Sequence, residues 1–146
     1  MRIDRENLFS DAQALTASAA STDCVDLGLE GRQIFQGEPM AIGITVDVAA
    51  DATTGDETYQ FELEMDTADS FGSATDVITR SISRTSLTLG SFHSLAIPFE
   101  VTLERYLRMY YTLGGTTPTI TVTSWLAPLS MLQKYKAYAD GFTLTT

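Results

Sequence analysis

The sequence predicts an all-β protein, an antiparallel β-sandwich of about eight strands, for which the jelly roll is the commonest arrangement. Three observations carry this. Several short stretches alternate apolar and polar residues with period two, as strands buried on one face do. Clusters of Gly, Pro, Asp, Ser and Thr separate those stretches. No convincing long helix is legible anywhere. At 146 residues, 44% apolar and 19% charged, the chain reads as a single domain, 1–146, able to bury a core without staples.

Residues 1–20 read as an N-terminal arm in which Leu8, Phe9 and Leu15 stand among small and polar residues. Leu8 and Phe9 either seat this arm on a neighbouring subunit or cap the chain's own sandwich. Ser21-Thr22-Asp23 marks a turn, and Cys24 to Gly28 a short strand ended by glycine. Gly31, Gly37 and Pro39 place a surface loop over 30–39. Residues 40–48 alternate, with Met40, Ile42, Ile44, Val46 and Val48 on one face. After a polar turn at 51–57 comes the sharpest alternation, 58–67. Tyr59, Phe61, Leu63 and Met65 share one side of it and Gln60, Glu62, Glu64 and Asp66 the other. These acids are expected to face water or a partner.

Residues 77–84 alternate less tidily, with Arg80 and Arg84 on the parity of Ile78 and Ile82. A strand through His93, Leu95 and Ile97 meets Pro98, which cannot donate to a ladder, so it lies at an edge or breaks. Residues 105–125 then read as a β-hairpin. Two aromatic and β-branched arms flank Gly114-Gly115-Thr116-Thr117-Pro118. Leu107, Met109, Tyr111 and Leu113 form one face of the first arm, and Ile120 and Val122 one face of the second. Residues 128–146 form a C-terminal arm or tail. Within it Leu129, Leu132 and Tyr135 have helical spacing, yet 128–139 reads equally well as extended.

Charge narrows the partners. The net charge is −10, and residues 1–70 hold three arginines against fifteen acids, a balance of −12. Such a surface repels phosphates and anionic lipid, so neither nucleic acid nor a membrane is expected, and a basic protein surface is the natural complement. The single Cys24 cannot form an intrachain disulfide. No apolar run approaches the ~20 residues of a membrane span, and the start lacks a signal-peptide core, which together point to a cytoplasm.

Little chemistry is legible. His93 is the lone histidine and shares parity with Leu95 and Ile97, so a structural strand-end role is expected rather than a place in a Ser-His-Asp site. One His and one Cys exclude a closed zinc site of N and S ligands within one chain. Asp23 beside Cys24 raises its thiol pKa, so Cys24 reads as a small apolar filler. Glu62, Glu64 and Asp66 have a spacing that suits paired catalytic carboxylates or calcium, but solvated acids are the ordinary outcome. No phosphate-binding or dinucleotide fingerprint is present. The expectation is no enzyme activity, no cofactor and no metal. Tyr106, Tyr110 and Trp125 lie opposite the more apolar faces, either as a second core layer or as an exposed platform for sugar or protein.

Asn7-Leu8-Phe9-Ser10-Asp11-Ala12-Gln13-Ala14-Leu15, continuing to Gly28, resembles the opening of capsid cement proteins of the Bordetella-phage type. Glu104-Arg105-Tyr106-Leu107-Arg108-Met109-Tyr110-Tyr111-Thr112 is similar to the same family's strand before its Gly-rich hairpin. Tyr138-Ala139-Asp140-Gly141-Phe142 is similar to its closing segment. These stretches cover about a third of the chain; the acidic middle, 51–76, has no match. The resemblance implies a non-enzymatic jelly roll on the exterior of a tailed-phage head. There it would bridge major capsid proteins as a dimer or trimer and stabilise the shell, in virions assembled in a host cytoplasm. On this reading Leu8, Phe9, Tyr138, Phe142 and Leu144 are anchoring residues, and Glu62, Glu64 and Asp66 an acidic contact face. The alternative is a carbohydrate- or receptor-binding β-sandwich that uses Tyr106, Tyr110, Trp125 and the neighbouring arginines.

Overall fold

A computed structural model describes residues 4–28 and 38–132, in which nine strands form two antiparallel sheets. In chain order they are β1 (Leu8–Leu15), β2 (Ala19–Ala20), β3 (Val25–Asp26), β4 (Met40–Val48), β5 (Thr58–Asp66), β6 (Thr75–Ile82), β7 (Phe92–Ala96), β8 (Tyr106–Gly114) and β9 (Ile120–Pro128). A single helical turn, α1 (Leu129–Leu132), follows β9. One sheet has the order β1-β9-β4-β7. The other has the order β2-β8-β5-β6, with β3 paired to β8 as well. Because β2 and β3 both pair with β8, they act as one interrupted strand, and eight strand positions remain. Their partners nest, β1 with β9, β2 and β3 with β8, β4 with β7, β5 with β6. A long hairpin folded over on itself has this nesting, which is the jelly roll.

Period two decides what lies between the sheets. Tyr59, Phe61 and Leu63 of β5 and Leu107, Met109 and Tyr111 of β8 point inward and are at most 2% exposed. Ile42, Ile44 and Val46 of β4 meet them from the other sheet.

The hairpin expected over 105–125 does not form. β8 pairs with β5 and with β2 and β3, whereas β9 pairs with β4 and β1, so 115–119 passes from one sheet to the other. The cause is that each arm has its own apolar face. Side by side in one hairpin, both would lie on one side of one sheet; on opposite sheets they face each other across the core. The crossing is tied to another segment that changes sheets, 51–57, between β4 and β5. Asp56 accepts from the Thr116 N–H (3.1 Å) and the Thr116 hydroxyl (2.9 Å). Gly115, at φ 90°, lies so close that a Cβ there would sit 2.5 Å from the Asp56 carbonyl oxygen.

The N-terminal arm is a second correction. β1 pairs antiparallel with β9 of its own chain, from Leu8 opposite Trp125 to Leu15 opposite Ile120, and Phe9 is 0% exposed. Of the two expected roles for this segment, capping the chain's own sandwich is the one taken, and Phe9 is core rather than an anchor. A hydroxyl chain fastens it. Tyr111 Oη lies 2.7 Å from Ser10 Oγ and 2.6 Å from Ser124 Oγ, linking β1, β8 and β9 inside the core. Burial pushes the Tyr111 phenol up to about 12. Tyr111→Phe leaves Ser10 and Ser124 short of a partner and is expected to cost about 1–3 kcal/mol in a urea titration. An unchanged midpoint would show that the two serines satisfy themselves elsewhere.

β7 ends before Pro98 and lies at a sheet edge, as the missing N–H requires. The other sheet's edge strand, β6, carries an inward-pointing charge. Arg80 stands opposite Phe61, and its Nη1 donates to Ser94 O of β7 at 2.7 Å. A charge placed there ties the two edges together and discourages further strand pairing. Within 128–139, helix is observed over α1; Tyr138, Phe142 and Leu144 lie outside the described residues. Among the described residues no helix is long and apolar enough to cross a membrane.

Candidate functional site

The outer face of the β5–β8 pair brings the predicted acids to aromatic and basic partners. Register places Glu62 opposite Tyr110, Glu64 opposite Arg108 and Asp66 opposite Tyr106. The acids are not solvated as expected. Glu62 is 9% and Asp66 6% exposed. Glu62 accepts from the Thr112 hydroxyl at 3.2 Å and from the Gln60 amide. Glu64 pairs with Arg108 Nε at 2.6 Å, and their side chains are 12% and 21% exposed. Asp66 closes the loop that follows β5, accepting from Ser73 N (2.9 Å) and Ala68 N (3.1 Å). That loop is turned by Phe71 at φ 49°, which lays its ring 4.4 Å from the Arg108 guanidinium, with Tyr110 5.7 Å away on the same cation. Just before β8, Arg105 forks onto Asp26 with two bonds of 2.8 Å and covers Tyr106 at 4.8 Å. Across the sheet, carboxylate oxygens of Glu62, Glu64 and Asp76 lie within 4.8 Å of one another. This face is therefore a mutually satisfied polar layer, in which the arginines spend their charge on acids and their planes on rings.

The sugar-platform constellation is not assembled. Tyr106 and Tyr110 stand on this face, partly covered by Arg105 and Arg108, while Trp125 points from the outer face of the other sheet. There Trp125 is 5% exposed, packed with Ala41, Ala127 and Leu132 beneath α1 and flanked by Leu8 and Phe92. Of its two expected roles it takes the second core layer. Gly43 makes the seat, since a Cβ there would lie 2.8 Å from the indole ring.

His93 Nε2 lies 3.2 Å from both Ser86 O and Ser91 Oγ, at the end of an edge strand. Cys24 is exposed rather than buried filler. Partial burial and the carboxylates of Asp69, Asp26 and Asp23 hold its thiol pKa above the ordinary value.

On the β1–β9 sheet a cleft of about 440 Å³ is lined by Arg5, Leu8, Asp11, Asp23 and Thr123. Of the sequence-predicted site residues only Leu8 reaches it. Thr123 stands on the outward parity of β9, whereas Arg5, Asp11 and Asp23 carry no periodic signal, because a register shift and a loop, rather than a strand pattern, place the acids there.

Residues 9–125 match the family model of Bbp16, well over half of the chain. The chain belongs to the Bbp16 family. This is a family of Bordetella phage proteins, and membership makes this chain a phage-type protein. No curated protein matches the chain. The Bbp16 match begins at the buried Phe9 and ends at the buried Trp125, so it spans the sandwich from its first strand to its last.

Among the described residues of this Bbp16-family chain, three acids shape its response to acid. Asp66 is held below the usual carboxylate range by the Ser73 and Ala68 amides, Asp56 by the Thr116 amide and hydroxyl, and Glu57 by the Thr54 hydroxyl, then its amide. A lowered folded pKa adds stability that is fully present above the unfolded value and lost as pH falls through the folded one. Stability is thus expected to be flat at neutral pH and to fall progressively below about pH 4. Thermal melts of wild type and Asp56→Asn check this, since the variant should lose less between about pH 5 and about pH 3.

Proposed function

We propose that this protein is a capsid cement protein, which binds the exterior of a tailed-phage head and bridges neighbouring major capsid proteins. The observation that carries the reading is membership of a phage protein family across the whole sandwich. The charge supports it. A net −10, concentrated before residue 70, suits a basic protein surface and disfavours nucleic acid and anionic membrane. The reading assigns the chain no reaction and no cofactor, and makes it a homo-oligomer, dimer or trimer, on the virion. Many modest contacts spread over one shell act together, so each site needs little affinity. The anchors it retains are Leu8 on the sandwich and Tyr138, Phe142 and Leu144 in the C-terminal segment.

The test is co-sedimentation of the purified protein with phage heads stripped of their decoration. Saturable binding at low salt is expected, falling as ionic strength rises from about 0.05 to 0.5 M. No binding at low salt sinks the reading, and a flat salt response removes the electrostatic part of it.

A further inference from the structure

We propose that the cleft on the outer face of the β1–β9 sheet receives one basic side chain, Lys or Arg, from a protein partner. The inference rests on the cement reading only for the partner's identity, which would then be the major capsid protein.

The cleft is built by backbone geometry rather than by chance surface charge. The β1–β9 register shifts twice, once between Leu8 opposite Trp125 and Ser10 opposite Ser124, and again before Gln13 opposite Val122. Asp11 and Ala12 together therefore oppose Thr123. Such a bulge re-aims a side chain out of the ladder, and here it presents Asp11. Ala12 takes a left-handed backbone (φ 47°), held because its N–H donates to Thr123 Oγ1 at 2.9 Å. Thr123 in turn donates to Asp47 at 2.6 Å. Asp23 comes from a different segment, which is fastened to β1. The Asp23 N–H donates to Phe9 O at 2.9 Å, and the Thr22 N–H to Gln13 Oε1 at 3.1 Å. Two aspartates from separate segments thus line one cleft, and both are exposed.

The rest of the lining fixes what fits. Leu8 gives an apolar wall backed by the Trp125 cluster, which suits the methylene stem of a long side chain. Arg5 leaves the cleft one net negative charge, enough for a single cation. Among the described residues Arg5, Asp11 and Asp23 form no salt bridge with one another. An ammonium or guanidinium entering along Leu8 meets two charged acceptors, and hydrogen bonds to charged groups are the strong ones.

The experiment titrates the full chain with N-acetyl-lysine amide and follows backbone amide signals by NMR. N-acetyl-norleucine amide serves as the uncharged control. Saturable shifts confined to Asp11, Ala12, Asp23 and Thr123 are expected with the lysine probe and not with the control. Asp11→Asn with Asp23→Asn should weaken binding about tenfold or more, whereas Arg5→Gln should tighten it. Shifts that spread over the acidic surface, that sodium chloride reproduces at equal ionic strength, or that persist in the double variant would overturn the proposal. If the double variant does not fold, an Arg5→Gln titration no tighter than wild type overturns it equally. Head binding separates the two readings. Wild-type protein that binds the probe but not heads loses the cement reading and keeps the cleft, and a double variant that binds heads normally removes the capsid protein as the occupant.

Discussion

Phe9→Ala is expected to lower the unfolding free energy by about 3–5 kcal/mol, the cost of emptying an aromatic site in a closed core. Phe9 is 0% exposed and packs inside the sandwich from a strand paired along its length with β9. Against a total of about 5–15 kcal/mol for a domain of this kind, that is a large fraction of the stability. Leu8→Ala, beside it on the half-buried outer side, should cost only about 1–2 kcal/mol. Urea titrations of the two variants decide the matter. A free arm predicts the opposite, a stable Phe9→Ala monomer that has merely lost shell affinity. Wild-type stability in that variant would mean that β1 does not belong to its own sheet in solution.

Arg108→Met should be the second large loss, about 2–3 kcal/mol, because it removes the cation from a face where three carboxylates crowd together. Arg108 is 21% and Glu64 12% exposed, so water screens the remaining charges only in part. With the guanidinium gone, Glu64 repels Glu62 and Asp76, whose oxygens lie within 4.8 Å, and Phe71 loses the group its ring covers. Two controls identify the cause. Adding Glu64→Gln should recover more than half of the loss, and raising salt should stabilise the variant more than the wild type. If Glu64→Gln rescues nothing, the effect belongs to the lost stacking and not to charge.

Much of the sandwich could be read from the chain because alternation is a local property. The inward sets of β4, β5 and β8 are the ones that period two picks out, and Pro98 marked the edge strand correctly. The hairpin failed for a definite reason. Leu107, Met109 and Tyr111 identify a buried face, but a face does not say which strand lies beside it, and Thr58 to Asp66 competes for β8 from far away in the chain. The acids failed in the same way. Glu62, Glu64 and Asp66 do point outward, yet Arg108, Thr112 and the amides of Ala68 and Ser73 arrive to cover them. The Asp11 and Asp23 cleft left no trace, since a bulge and a turn create it.

The sequence by itself determined which side chains turn inward, where the turns fall and how negative the surface is, since covalent geometry and composition set all three. Only the tertiary structure decided which strands are neighbours, that the first segment closes its own sheet, and which acids are already matched. Those depend on free-energy differences between pairings far apart in the chain, and many pairings share the same alternation.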